Sequence, residues 1–467
     1  MKGLSMGLSR RVFLTGTGGL VLAGMAQSVS AAGGRKILRT ETRQIEVAGK
    51  AATRYGVSDG SGGFGLTLEE GDMFDVRLEN GLAVPTGIHW HGLTPPWRQD
   101  GVPHISQPPI PPDGHFDYNF PARPSGTRFM HSHFGLQEQD LLAAPLIIRE
   151  ASLKGRDVQE VVVLLGDFSW QPPEEIFATL RKPPDGGAAM HMDHGGPDLN
   201  DVDYDAYLAN DRTLDDPAVF DVERRGRVRL RIINAGASSN FTIDHGPLQG
   251  SLVAVDGNPI VPLTGNRFPI GISQRADIEI ELPGDGKAVP VLALGEGRAL
   301  RAGIILRPAG AAVSKVARTG EAAGPVVGLE QELMLKASAP LPRKPIDRSI
   351  PVALEGTMMG YRWGMPIDGM SGQPATVNQG ERVEIVFRNQ TPMSHPMHLH
   401  GHIFQVTEIN GRAIDGALRD SIMVPPEATV KVLFDADNPG LWAFHCHIST
   451  IWRRGCSRPS SIADFRD

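Results

Sequence analysis

The chain is poor in cysteine. Its 467 residues include only 2, Cys446 and Cys456, too few for a disulfide framework or a multi-cysteine zinc protein. After the N-terminus, no stretch approaches the about 18 apolar residues of a transmembrane helix. No basic block stands out either. The 46 Lys and Arg are scattered against 53 Asp and Glu, for a formal net charge of −7, which argues against a nucleic-acid partner. Helical periodicity is scarce. What is abundant is Gly (55) and Pro (37), about a fifth of the chain, a composition that suits turns between short strands. A hydrophobic content of 40% excludes global disorder. The length suggests roughly three domains. The remaining count of interest is 15 His.

The first 32 residues read as an address. Ser9-Arg10-Arg11-Val12-Phe13-Leu14 opens an apolar run over 12–26, followed by the small residues Ser28-Val29-Ser30-Ala31-Ala32. Charged, apolar and small segments in that order mark an export signal. The paired arginines resemble a twin-arginine signal. The apolar run, about 15 residues, is short of the roughly 20 a span requires. The expectation is a cleaved signal, delivery by the twin-arginine machinery, and a soluble periplasmic protein without a membrane span. A monomer is expected.

Three segments share a texture. Met73-Phe74-Asp75-Val76-Arg77-Leu78, Val228-Arg229-Leu230-Arg231-Ile232-Ile233 and Val383-Glu384-Ile385-Val386-Phe387 alternate as half-buried strands do. Each is preceded by a Gly-containing turn (Gly71, Gly226, Gly380) and followed by Asn (Asn80, Asn234, Asn389). A module repeating at about 150 residues predicts an all-β chain of three related β-sandwich domains, spanning 38–150, 155–310 and 328–467. Linkers are expected at 151–155 and 309–324. The Gly-, Pro- and Met-rich stretch 183–196 reads as an inserted loop.

Four clusters repeat one device: His89-Trp90-His91, His131-Ser132-His133, His398-Leu399-His400 and His445-Cys446-His447, with His395 upstream of the third. On a strand, residues i and i+2 face the same way, so each pair aims two imidazoles into one space. Neutral imidazole suits copper, iron or zinc, and a thiolate between two His adds a soft ligand. One such pair is weak evidence, since single pairs also occur in ordinary cores. Eight paired imidazoles in a packed core would each need a hydrogen-bond partner, so the set predicts metal binding.

The motifs resemble those of the multicopper oxidases, in the three-domain bacterial branch of laccase-like and cuprous oxidases. The resemblance extends over nearly the whole chain after the signal. It includes Ile88-His89-Trp90-His91-Gly92-Leu93, Gln99-Asp100-Gly101-Val102, Gln107-Pro108-Pro109-Ile110, Pro145-Leu146-Ile147-Ile148, and His395-Pro396-Met397-His398-Leu399-His400-Gly401-His402 with Phe404. It implies three cupredoxin-like Greek-key sandwiches, the middle one copper-free. His89 and His398 would bind a type 2 copper. His91, His131, His133, His400, His445 and His447 would bind a type 3 pair, completing a trinuclear cluster. His395 and Cys446 would belong to a type 1 copper. Electrons from Cu(I), a phenol or a similar small donor would pass through Cys446 to the cluster, where O2 is reduced to water. Asp100, otherwise a turn residue before Gly101, stands where the family keeps an acid for protons. A mononuclear nitrite reductase would not need four His pairs.

The end of the chain departs from this pattern. The family places a further type 1 His after three intervening residues beyond His-Cys-His, and later Gly with an axial Met or Leu. Here those positions hold Ile451 and, after Gly455, Cys456. With suitable third bases, one base inserted after the Ile448 codon makes the stretch read I-L-Y-H-M-E-A-G-M-F-T-T-V-K-Y-R-G, which restores His, Gly-Met and an alternating strand. A one-base deletion, in the gene or in its reading, is therefore expected. As written, Ser457-Arg458-Pro459-Ser460-Ser461 suits no strand, so the last domain is expected to lack its closing strand, to leave an open edge and to pack poorly after Ile448. The type 1 site is then incomplete and the oxidase impaired; the other reading is a non-catalytic periplasmic copper-binding protein of the same fold. Met190-His191-Met192-Asp193-His194 is a loop with some resemblance to Met-rich copper segments. His245 reads as structural, His104, His115 and His402 have no role, and Cys456 reads as a product of the altered tail.

Overall fold

The computed structural model describes residues 34–60, 63–182, 199–357, 361–367, 375–448 and the backbone of 457–462. Six sheets stack in sequence-local pairs into three cupredoxin-like β-sandwiches. Two four-stranded sheets form the first, between Lys36–Val47 and Ala143–Arg149. A six- and a five-stranded sheet form the second, between Gln159–Phe168 and Arg301–Pro308. A seven- and a five-stranded sheet form the third, from Arg348–Thr357 onward. Among the described residues there is one α-helix, Pro173–Leu180, with Pro at its first position and Glu174 and Glu175 in the first turn, where the helix dipole favours them. Each sandwich has its own apolar core, around Phe74, Trp90 and Phe120, around Leu230, Phe241 and Ile278, and around Phe387, Val406 and Trp442.

The repeated Asn does the same work three times. Asn80, Asn234 and Asn389 are buried at the ends of Met73–Asn80, Arg227–Asn234 and Arg382–Asn389. Each side-chain oxygen accepts from the backbone N–H two residues on: Leu82, Gly236 and Thr391. Each amide nitrogen donates to two carbonyls, one near and one farther along the chain: Val84 and Ile110, Ser239 and Ile270, Met393 and Val424. Only an amide offers an acceptor and two donors at once, which is why the same residue type recurs where a strand turns out of its sheet.

Two expectations need correction. The middle strand Arg227–Asn234 is buried on both faces rather than half-buried. Its alternating polar residues, Arg229 and Arg231, do not face water. They meet Glu150 of the first sandwich, and Arg231 also reaches Thr127, Asp277 and Glu160. Polar alternation marks one face of a strand, but not whether solvent or a second sandwich covers it. The last sandwich, moreover, does have a closing strand: Ser457–Ile462 pairs antiparallel with Gly440–Cys446 and, through Ser461 and Ile462, parallel with Thr376–Val377. Pro459 lies opposite Ala443, before the two residues that pair on the other side. At Pro459 the ladder therefore has one neighbour among the described residues, the edge condition under which proline is tolerated.

Candidate metal centre

The register of two strand pairs assembles the histidines. In the first sandwich, Ile88–His91 runs antiparallel to Gly126–Ser132 with His89 opposite His131. In the last, His395–Leu399 runs antiparallel to Gly440–Cys446 with His398 opposite His445 and Met397 opposite Cys446. Directly opposed residues share a face, so each sandwich presents its two His-x-His pairs together. A glycine follows the first pair of each set, at positive φ: Gly92 (+87°) and Gly401 (+68°). A Cβ on Gly92 would lie 2.7 Å from both Arg275 and Asp420; one on Gly401 would strike the Trp442 ring at 2.4 Å. Here glycine allows both the turn and the close approach.

All eight imidazoles are buried where the outer sandwiches meet. His398 Nε2 lies 3.4 Å from His89 Nε2, His400 Nε2 2.9 Å from His445 Nε2, and His447 Nε2 3.3 Å from His131 Nε2. Three ligand-like triads follow, each with its donor atoms within 4.8 Å: His89, His398 and His400; His89, His91 and His131; His133, His400 and His445. Carboxylates join two more: Asp420 with His91 and His398, and Glu138 with His131 and His447.

Oxygen atoms behind the rings decide which nitrogen points inward. The Nδ1 atoms of His89, His398 and His445 donate to the carbonyls of Asp100, Asp420 and Cys446. His400 Nδ1 donates to Asp100 Oδ2 at 2.8 Å, and His131 Nδ1 lies 3.0 Å from Glu138 Oε1. A ring that donates from Nδ1 keeps its lone pair on Nε2. Burial, and then the neighbouring imidazoles, hold His91, His133, His398 and His400 well below the ordinary 6.5. His131 and His447 are likewise lowered chiefly by burial, and His445 falls to about 3. These seven rings are thus neutral, and the lone pairs of His400 and His445 face each other at 2.9 Å. Such lone pairs repel in the absence of a cation, and an all-imidazole set fits copper.

Asp100 is buried and serves two rings, His89 and His400. Sequence reasoning missed Glu138 and Asp420. The available signals were acids within otherwise apolar or amide-rich stretches: Glu138 between Gln137 and Gln139, and Asp420 just before Ser421-Ile422-Met423-Val424.

His395 and Cys446 stand apart from the eight. His395 Nδ1 lies 3.5 Å from Cys446 Sγ. Thr391 Oγ1 donates to Asn389 Oδ1 and so accepts from His395 Nε2 at 2.7 Å. The Nδ1 lone pair is thereby left for the side that holds the thiol. The two groups can share one metal. Ile451, Cys456, the Met190–His194 motif and residues 1–33 lie outside the described residues. His104 and His115 are exposed and away from the cluster. His245 is buried against Phe268, and His402 donates to the His400 carbonyl. No helix among the described residues is long and apolar enough to cross a membrane.

Comparison with known proteins agrees with this geometry. Three profiles described as multicopper oxidase match residues 39–152, 159–289 and 344–463. The chain is 30% identical to multicopper oxidase MmcO of Mycobacterium tuberculosis, over 91% of this chain and 88% of that one. It is 25% identical to a copper resistance protein A homolog of Pseudomonas syringae pv. tomato, over 90% and 91%. The crystal structure of Fet3p, a multicopper oxidase that functions in iron import, superposes with a TM-score of 0.76 at 20% identity, covering 91% of this chain and 90% of that one. With three matched segments and a relative aligned almost end to end, the chain belongs to the multicopper oxidase family and is a copper-dependent oxidoreductase.

Proposed function

We propose that the eight imidazoles hold three copper ions: a type 2 ion on His89 and His398, and a type 3 pair on His91, His131, His133, His400, His445 and His447. His395 and Cys446 form two-thirds of a type 1 site. Held there, copper would supply one-electron redox chemistry: four electrons taken singly from a donor would, with four protons, reduce one O2 to two waters. The observation that carries the reading is the convergence of buried, neutral imidazoles from two sandwiches on one space.

The chain's own groups set the terms of that chemistry. Cys446 lies between His445 and His447, so the backbone links its thiolate to two cluster rings with no intervening residue. Asp100 holds the proton of His400 at Nδ1 and sits beside His89, a position from which it can pass protons inward. Burial keeps water from the rings and preserves their lone pairs.

The reductant we favour is Cu(I) or a phenol. The relative named for copper resistance supports the first. As written, the chain lacks the second type 1 imidazole, and electron entry is impaired. A one-base deletion after the Ile448 codon accounts for this, and sequencing the gene across that codon tests it. Should the codons be unambiguous and in frame, the second reading applies: a copper-binding member of the fold that no longer turns over. We further propose that residues 1–32 direct twin-arginine export to the periplasm and are removed, and that the domains span 38–150, 155–310 and 328–467. The decisive experiment loads the purified chain with copper and measures metal content and oxygen uptake with Cu(I) and with a phenol. About three copper ions per chain is the expected content on the ligand set above. Failure to retain copper after dialysis rejects the reading.

A further inference from the structure

His91 is oriented unlike its neighbours. Five of the eight rings turn Nδ1 outward to an oxygen and Nε2 inward. His91 does the reverse: its Nε2 faces Asp420 Oδ1 at 3.1 Å and Ser421 Oγ at 3.2 Å, and its Nδ1 faces His131 Nε2 at 3.4 Å. Asp420 is itself fixed from the middle sandwich, which supplies none of the eight imidazoles. Arg275 grips both carboxylate oxygens, with Nη1 2.6 Å from Oδ1 and Nη2 on Oδ2. The same arginine donates to the carbonyls of Ser273, Asp256 and, in the first sandwich, Thr127. Beside it Ser273 Oγ bonds Ser421 Oγ at 2.9 Å. Arg275 and Asp420 are both buried. One guanidinium thus ties three sandwiches together at the ring that departs from the common orientation.

We infer that Arg275 and Asp420 are positioning residues of the cluster: the pair holds His91 as the Nε2–H tautomer, with the Nδ1 lone pair turned to the metal space, so that the ligand-free middle sandwich controls one imidazole of the first. A carboxylate can only accept when ionised, and a guanidinium across both its oxygens keeps it in place. Five rings are set by backbone carbonyls or by acids of the outer sandwiches, whereas the acid behind His91 is itself gripped by the middle one. The assignment of this ring to copper rests on the function proposed above, whereas its tautomer does not.

The test is therefore made first without metal. Copper-free full-length chain, labelled with 15N-histidine, reports the neutral tautomer of each ring by NMR, and His91→Gln identifies the His91 signals. The parent is expected to show His91 as a single Nε2–H form. Arg275→Met with Asp420→Leu removes both members of the pair together, although buried Arg128, 3.6 Å from Asp420, then loses that carboxylate too; the His91 signals should then move toward a mixture of tautomers. Arg275→Lys, which keeps the charge but not the two-pronged grip, should shift them partway if the double variant does not fold. Copper titration of the folded variants should show affinity weaker by about 10- to 100-fold, the usual consequence of losing a ligand's outer hydrogen bond. Arg231→Lys, in the same buried network but away from His91, should leave the tautomer as it was. A parent in the Nδ1–H form, or a folded Arg275 variant with unchanged His91 signals, overturns the inference. A parent that shows the stated tautomer yet binds no copper overturns the proposed function instead.

Discussion

The eight-imidazole cluster and the His395–Cys446 pair lie on neighbouring residues of the same strands, yet they differ in how many separate segments must be correct. The cluster draws every donor from four His-x-His motifs, each placed by strand register, and all eight side chains are present. The pair has two donors from that same framework and, on the type 1 reading proposed above, would need a third from beyond Ile448, where the sequence offers Ile451. Redundant, register-built sites keep their form when one distant segment changes. A site that borrows a ligand from the chain end is as sound as that end.

The largest expected effect breaks the cluster itself. His400→Ala removes a ring shared by two ligand triads, and oxygen uptake by a copper-loaded chain should fall to background, measured with an oxygen electrode. Next comes the pair. The frame-restored tail should add an intense blue absorption and raise oxygen uptake well above that of the chain as written; equal activity and colour in the two proteins would mean that Ile451 is not the defect.

A smaller effect is expected from the groups behind the rings. Asp100→Asn weakens the hold on His400 and His89 and should lower copper affinity or turnover about 10- to 100-fold. His395 and Cys446 should bind metal as in the parent.

The copper-free cluster should also make the fold sensitive to acid. Seven of its rings, His91, His131, His133, His398, His400, His445 and His447, are neutral when folded because burial lowers their proton affinity, while in the unfolded chain they protonate below about 6.5. The unfolded state therefore binds more protons, and stability is lost as pH falls from about 6.5 toward the folded value, about 3 for His445. Each such ring contributes a slope of about 1.4 kcal/mol per pH unit in that window. Thermal melts of copper-free chain from pH 7 to pH 5 should decline steeply, and copper loading should flatten the decline. A flat profile without copper would show that the rings are already protonated or solvated.

The smallest effect separates two copies of one structural device. Asn234→Ala and Asn389→Ala each leave buried carbonyls and an N–H unpaired and should destabilise the chain by about 1–3 kcal/mol. Only Asn389 also holds Thr391 against His395, so only its loss should alter the spectrum of metal bound at His395 and Cys446.

Much of this was legible in the chain because it depends on short-range geometry. A strand's two-residue period puts His89 and His91, or His445 and His447, on one face wherever the strand lies. The repeated Gly-strand-Asn module declared three sandwiches because the same local hydrogen-bonding problem recurs at each strand end. Pattern could not say what covers a face. Arg229 and Arg231 read as solvent-facing alternation and proved to be the buried contact with the first sandwich. Composition also misjudged Ser457–Ile462, whose pairing partners, not its own propensity, make it a strand. Glu138 and Asp420 carried only a weak local signal, an acid in an amide-rich or apolar setting, and Arg275 none; the importance of the two acids arises from which imidazole stands 3.0 or 3.1 Å away.

The sequence by itself determined the sandwich count and the pairing of imidazoles, since both follow from periodicity along one strand. Only the tertiary structure decided which pairs meet, which ring nitrogen faces the shared space, and that a sandwich with no candidate ligand reaches one of them through Arg275. Those are relations between residues far apart in the chain, 329 positions for His91 and Asp420, and no local rule encodes them.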